Sequence, residues 1–264
     1  MFDLVSHGPD TFVGEGPRYP WGGLYGGQVV AQALRAASST VDDELLVHSL
    51  RAYFIRRGDH TEPVRYEVDR IRNGRSFVTR RVVARQAIGA ILNLEASFQR
   101  EEHSLDLRPI AMPIVPGPED LVEEAWSKHF ARRFVPSADV APDGRDGMGR
   151  VMAWMRVHEP LGESQLMHRC WLAYLSDDLS TDAVVEAHPQ REQFERDGSR
   201  YTASLDHAVW FHRPVRADVW HLHDISCHAF AGGRGLSMGY VFGADGAHVA
   251  TIAQEVLLRD RTAR

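Results

Sequence analysis

The chain has 264 residues, 30 of them basic and 36 acidic, for a formal net charge of −6. Hydrophobic residues make up 44% and charged residues 25%, which excludes a disordered or collagen-like chain. A general nucleic-acid binder would be basic, so that class is disfavoured. The length fits one large domain or two fused ones, with a core that needs no disulfide staples.

All the basic residues except Lys128 are arginines. The start, Met1-Phe2-Asp3-Leu4, lacks a basic n-region and an apolar run, so no secretory signal is expected. No apolar stretch approaches the roughly 18 residues of a membrane span. Cys170 and Cys227 are too few for a disulfide framework and form no CxxC pair, and a reducing cytoplasm is the expected home. The Walker loop, GxGxxG, HExxH and GxSxG are all missing.

Residues 26–41 open on Gly26-Gly27 and then read as a helix. Val30, Ala33, Leu34 and Ala37 fall at i, i+3, i+4 and i+7 on one face, and the alanines suit close packing on a sheet. Strand-like runs follow at 46–55, 64–72, 76–86 and 90–100, with Gly58-Asp59 and Asn73-Gly74 as turns. Residues 101–149 are crowded with proline and glycine and read as a linker carrying a short helix over 121–130. A strand is predicted at 150–157 and a mostly helical stretch at 166–188. Four more strands are predicted at 203–213, 220–229, 236–242 and 247–259.

This order repeats. Phe54-Ile55-Arg56 lies 157 residues before Phe211-His212-Arg213, and Gly74-Arg75 lies 159 before Gly233-Arg234. Ala96-Ser97-Phe98-Gln99-Arg100 lies 159 before Glu255-Val256-Leu257-Leu258-Arg259. A duplication explains all three matches. The predicted fold is therefore α+β, with two tandem units, 1–100 and 150–264, joined by the linker 101–149. Each unit would lay one long helix on a curved antiparallel sheet, the hot-dog arrangement, and the two sheets would be continuous.

Several blocks resemble the acyl-CoA thioesterase II family. They are Gly26-Gly27-Gln28-Val29-Val30, Val47-His48-Ser49-Leu50 with Tyr53-Phe54, and Arg56-Arg57-Gly58-Asp59. Arg72-Asn73-Gly74-Arg75-Ser76-Phe77 and Ala96-Ser97-Phe98-Gln99 belong to the same set. The most specific block is Leu205-Asp206-His207-Ala208-Val209-Trp210-Phe211-His212-Arg213-Pro214, and Ala253-Gln254-Glu255 closes the series. The resemblance covers nearly the whole chain and is weakest over 101–149. It implies a double hot-dog enzyme that hydrolyses fatty acyl-CoA to free acid and CoA, with water as the nucleophile held by an Asp, a Gln and a Ser or Thr hydroxyl.

On that resemblance Asp206 takes the Asp position. A carboxylate on an apolar strand is costly to bury without a role, and desolvation would raise its pKa and improve it as a base. Gln254 takes the Gln position, where a neutral amide can donate and accept at once. The hydroxyl position, counted from Trp220 and from Arg234, is occupied by His228, a departure from the family pattern. An imidazole there could hold the water or act as a base. Ser226 lies two residues before it on the same face, and Tyr66 is another source of a hydroxyl. Gly27 and Gln28, at the helix start, would aim backbone amides at the thioester carbonyl.

The expected partner is acyl-CoA, with no nucleic acid and no membrane. Arg56, Arg57, Arg75, Arg80, Arg81 and Arg234 are candidates for its phosphates. Hot-dog sheets commonly pair across protomers, so a homo-oligomer is expected. No cofactor and no metal is expected. Two rival readings stand: a metal enzyme built on His207, His212, His221, His223 and His228, and a non-catalytic acyl-CoA-binding module with an altered site.

Overall fold

The computed structural model describes residues 1–140 and 148–261. Pro142, Gly144 and Gly147 of the predicted linker lie outside the described residues. The chain opens with a hairpin of β1 (Leu4–Ser6) and β2 (Thr11–Gly14), then α1 (Gly26–Ser38). Four long strands follow: β3 (Leu45–Phe54), β4 (Val64–Asn73), β5 (Phe77–Gln86) and β6 (Gly89–Arg100). Next come β7 (Phe130–Val135), β8 (Met148–Val157), α2 (Gln165–Leu175), α3 (Ser180–Glu186) and α4 (Arg191–Asp197). The last strands are β9 (Arg200–Ser204), β10 (Asp206–Phe211), β11 (His221–Ala231), β12 (Arg234–Phe242) and β13 (His248–Asp260).

All thirteen strands of the described residues join one antiparallel sheet, so the expected continuity holds. Its seam is the β3–β10 pair, where Leu50 faces Val209. Outward from the seam the order is β3-β6-β5-β4-β2-β1 on one side and β10-β13-β12-β11-β8-β7 on the other. The two sides are the same path walked twice. β9 pairs with β13 beyond the start of β10.

The helix α1 forms where the periodicity placed it. Val30, Ala33, Leu34 and Ala37 are all fully buried. Its alanines leave room for α2 to pack along it. No helix of the described residues is long and apolar enough to cross a membrane.

Two expectations need correction. The helix expected over 121–130 does not form: one short 3₁₀ turn, Pro118–Asp120, precedes a bridge between Glu123 and Arg133, and the chain then becomes β7. The free edge of β8 accounts for this, because β7 supplies the backbone partners that edge needs. The helical stretch at 166–188 is broken, so the second half carries α2 of 11 residues and α3 of 7 where one long helix was expected. The break falls at Ser176-Asp177-Asp178. Short polar side chains there compete for backbone partners, and the Ser176 hydroxyl lies 3.0 Å from the Ala173 carbonyl. The helix α4 was not anticipated.

Candidate active site

The break after α2 delivers a carboxylate to the interior. Asp177 is buried at the N-terminus of α1, and the Gly27 amide donates to its Oδ2 at 2.8 Å. Its Oδ1 accepts from Gln254 Nε2 at 2.9 Å and from the Ser204 hydroxyl at 3.4 Å. Gln254 Nε2 also donates to Ser204 Oγ at 2.7 Å. Gln254 Oε1 lies 2.6 Å from His207 Nδ1, and His207 Nε2 lies 2.7 Å from Ser176 Oγ. Gln254, His207 and Ser176 are all completely buried.

The sheet and helices set these positions. β13 alternates, so Ile252, Gln254 and Val256 point at the helices. Gln254 lies opposite Ser237 of β12, and Ser237 lies opposite Cys227 of β11. An aromatic wall flanks the carboxylate. Tyr25 contacts Tyr174 edge-on at 4.8 Å and Trp126 at 5.0 Å, and Trp21 meets Trp126 at 5.1 Å. Trp126 Nε1 donates to Asp178 at 2.5 Å, so a residue of the predicted linker seals this side.

Burial dominates the electrostatics. Desolvation pushes the Asp177 carboxyl up to about 7, against the pull of its donors Gln254, Gly27 and Ser204. Desolvation also drives His207 down to about 4, so its imidazole is neutral. A carboxylate poised near neutrality, with a neutral amide and a hydroxyl beside it, can take a proton from water and hold that water in place.

The sequence-based site is only partly reproduced. Gln254 and Gly27 belong to the cluster. Asp206 does not. It is half-buried on the opposite face of the sheet, where its Oδ1 accepts from the Glu255 amide at 2.6 Å. The reason is a slip in register. Ser204 pairs with Val256 and Ala208 with Ala253, so four steps along one strand match three along the other. The extra residue is a β-bulge, and it turns Ser204 inward and Asp206 outward.

His228 is displaced by the same device. Cys227 pairs with Ser237 and Ala229 with Leu236, which leaves His228 as the extra residue of a second bulge. Its side chain is exposed and lies 3.2 Å from Ser226 Oγ. Tyr66 is fully buried and donates to Gln32 Oε1 at 2.7 Å, away from Asp177. The Gln28 side chain accepts from the Tyr19 hydroxyl at 2.7 Å, and its amide donates to Tyr25 O within the helix turn.

Asp177 and Ser204 are absent from the sequence-based site, and His207 enters it only among the possible metal ligands. A signal existed: Ser176-Asp177-Asp178 interrupts an otherwise apolar helical run. Among the arginines, Arg80 is buried and spends its guanidinium on Thr40 and Arg72. Arg81 and Arg234 pair with Asp69 and Glu255, and Arg56 and Arg57 donate to the carbonyls of Ala90 and Trp21. The five histidines do not converge, and no group of three metal-ligating side chains occurs among the described residues.

The comparisons agree with this architecture. Residues 16–99 match the model of the acyl-CoA thioesterase N-terminal domain, and residues 109–258 match that of the C-terminal domain. Human acyl-coenzyme A thioesterase 8 is 34% identical, over 98% of this chain and 88% of its own. The crystal structure of an acyl-CoA thioesterase II from Mycobacterium marinum superposes with a TM-score of 0.88 at 35% identity, covering 100% of this chain and 97% of that one. A hot-dog protein of unknown function from Alicyclobacillus acidocaldarius shares the fold at 21% identity and a TM-score of 0.79, over 98% and 96% of the two chains. This chain is a member of the acyl-CoA thioesterase family and has its hot-dog fold.

Proposed function

We propose that this protein hydrolyses fatty acyl-CoA to the free acid and CoA, with Asp177, Ser204 and Gln254 holding the attacking water. The observation that carries the reading is the buried Asp177–Gln254–Ser204 cluster, found in a chain of this family. Asp177 takes a proton from water as the water oxygen attacks the thioester carbon. The oxyanion that forms needs donors. The Gly27 amide is committed to Asp177, so the preceding amide, Gly26, is assigned this role; it has no acceptor among the described residues. Collapse of the tetrahedral intermediate breaks the carbon–sulfur bond. The proton on Asp177 then passes to the departing thiolate.

Ser176 and His207, 2.7 Å apart, suggest a second reading through an acyl-enzyme. Ser176 is completely buried, and His207 is backed by a neutral amide where such a dyad needs a carboxylate. The water reading is preferred. The repeated sheet path and the two matched domain models, over 16–99 and 109–258, support two units, the second of which takes in β7 from the predicted linker. Two free cysteines support a cytoplasmic home, the acidic balance supports a function without nucleic acid, and exposed apolar residues such as Tyr53 support a homo-oligomer.

The test is release of free thiol from a series of acyl-CoA chain lengths. Wild type should turn over, and Asp177→Asn should lose about 10³-fold in kcat. Equal rates would remove the enzyme reading and leave a binding module. Rapid-mixing traces without a burst, and no acyl adduct on Ser176 in quenched samples, would separate water attack from an acyl-enzyme.

A further inference from the structure

We propose that His207 is a positioning residue, whose Nδ1–H fixes the Gln254 side-chain amide with its nitrogen facing Asp177 and Ser204. The inference rests on the reading of Asp177, Ser204 and Gln254 as the water-holding group.

The two ends of an amide have nearly the same shape and opposite hydrogen-bonding roles. Gln254 Nε2 has two hydrogens and two acceptors, Asp177 Oδ1 at 2.9 Å and Ser204 Oγ at 2.7 Å. Turned over, Gln254 would set its oxygen against an ionised carboxylate. What holds it the right way round is at the other end, where Oε1 has one donor, His207 Nδ1 at 2.6 Å. Gln254 itself is completely buried, so no solvent replaces that donor, and an orphaned buried acceptor is costly.

His207 can do this in only one tautomer. With a hydrogen on Nδ1, a neutral imidazole leaves Nε2 as an acceptor, and the Ser176 hydroxyl supplies the hydrogen at 2.7 Å. Ser176 has a competing acceptor, the Ala173 carbonyl at 3.0 Å. If its single hydrogen goes there, every bond reverses. His207 Nε2 then donates to Ser176, bare Nδ1 accepts from Gln254, and the amide oxygen faces Asp177. That second setting is satisfied only when Asp177 is protonated. An ionised Asp177 therefore selects the chain of donors Ser176 to His207 to Gln254 to Asp177, and His207 is its only link between the helix and the amide. The ionisable groups around Asp177 are Asp178 from the same turn, the phenol of Tyr25 just before α1 and that of Tyr174 from α2. Gln254 is the one side chain besides Ser176 that bonds His207 among the described residues.

Two substitutions separate positioning from packing. His207→Leu removes both nitrogens. His207→Asn places an N–H donor where Nδ1 stands. We expect His207→Leu to lower kcat by about 10²-fold, the scale of a misplaced catalytic group, with KM within about twofold. Its acidic kcat limb should move to higher pH, because the Gln254 donation that lowers the Asp177 pKa is lost. His207→Asn should recover most of kcat and return the limb to its wild-type position. Thermal midpoints measured alongside report lost packing, which lowers stability without moving the limb.

A wild-type limb and kcat in His207→Leu would overturn the inference, as would a His207→Asn variant no better than His207→Leu at equal thermal stability. If His207→Leu does not fold, Ser176→Ala takes its place. It frees the imidazole to adopt the other tautomer and should shift the limb in the same direction, and an unshifted limb overturns the inference. Asp177→Asn serves as the control on the underlying reading. Retained activity there rejects the water-holding group itself, whereas an inactive Asp177→Asn beside an unaffected His207→Leu rejects only the role of His207.

Discussion

Gly27 and Asp177 are 150 residues apart in the chain, and the amide of one donates to the carboxylate of the other at 2.8 Å. The first half of the molecule thus supplies the helix terminus that steadies a charge carried by the second half. Gly27 has no room for a side chain: a Cβ would lie 2.3 Å from the Tyr174 carbonyl oxygen and 2.6 Å from the Tyr25 ring. Neither neighbour can retreat cheaply, since one is backbone and the other is packed in the aromatic wall. Gly27→Ala should therefore cost about 1–3 kcal/mol of stability by overpacking and lower kcat about 10²-fold by moving the amide off the carboxylate. Chemical denaturation and steady-state rates measure the two effects separately.

Asp177 in its ionised form opposes stability, and on the proposed reaction it ties activity to pH. Its folded pKa is about 7, raised from 3.8 chiefly by burial. A carboxyl raised on folding contributes stability that is complete below about pH 4 and lost as pH climbs through about 7. The ionised form that the proposed reaction requires is thus the form the fold disfavours. Asp177→Asn should unfold at higher temperature than wild type at pH 8, by the equivalent of a few kcal/mol, and the gap should narrow as pH falls below 7 and close by about pH 4. The wild-type rate should rise with pH through about 7. If Asp177→Asn is less stable than wild type at pH 8, the carboxylate is better solvated than its position indicates.

Asp206 provides the contrast. It is half-buried on the outer face, and burial raises its pKa while the Glu255 amide pulls it down. Asp206→Ala deletes one hydrogen bond of 2.6 Å to the backbone and no contact with Gln254. The expected outcome is a kcat within about threefold of wild type and a loss of about 1 kcal/mol. A loss of activity as large as that of Asp177→Asn would return Asp206 to the reacting centre.

The contrast also shows what was legible in the sequence. The apolar period of α1, the strand alternations and the repeat offset follow from local periodicity, and the repeated sheet path reproduces them. Gln254 was legible because β13 alternates without interruption through it. Asp206 and His228 lie apart from the cluster because each adjoins a bulge. A single added residue reverses which face every later side chain takes, and no letter in Ser204-Leu205-Asp206 or Cys227-His228-Ala229 announces it. Asp177 was hidden differently. Its importance comes from a break between α2 and α3 that brings it to the start of a helix 150 residues away.

His223 offers a test of the interior away from the reacting group. It is fully buried on β11 beside His221, with ring centroids 5.1 Å apart. Among the described residues neither of its ring nitrogens has a hydrogen-bond partner, and His221 Nε2 is also unpaired. Burial holds His223 well below its ordinary pKa and brings His221 down to about 4. A histidine lowered on folding gives stability that is complete above about pH 6.5 and lost as pH falls toward its folded value, because the unfolded chain takes up the proton first. His223→Leu removes two unsatisfied polar atoms and one such titration. It should raise stability at pH 7 by about 1–2 kcal/mol and flatten the decline between pH 6.5 and 4.5, while kcat stays at the wild-type level. Urea unfolding across that range, read with the thioesterase rate, decides it: a destabilised His223→Leu protein would mean that the imidazole has a partner in solution worth more than the leucine it was exchanged for.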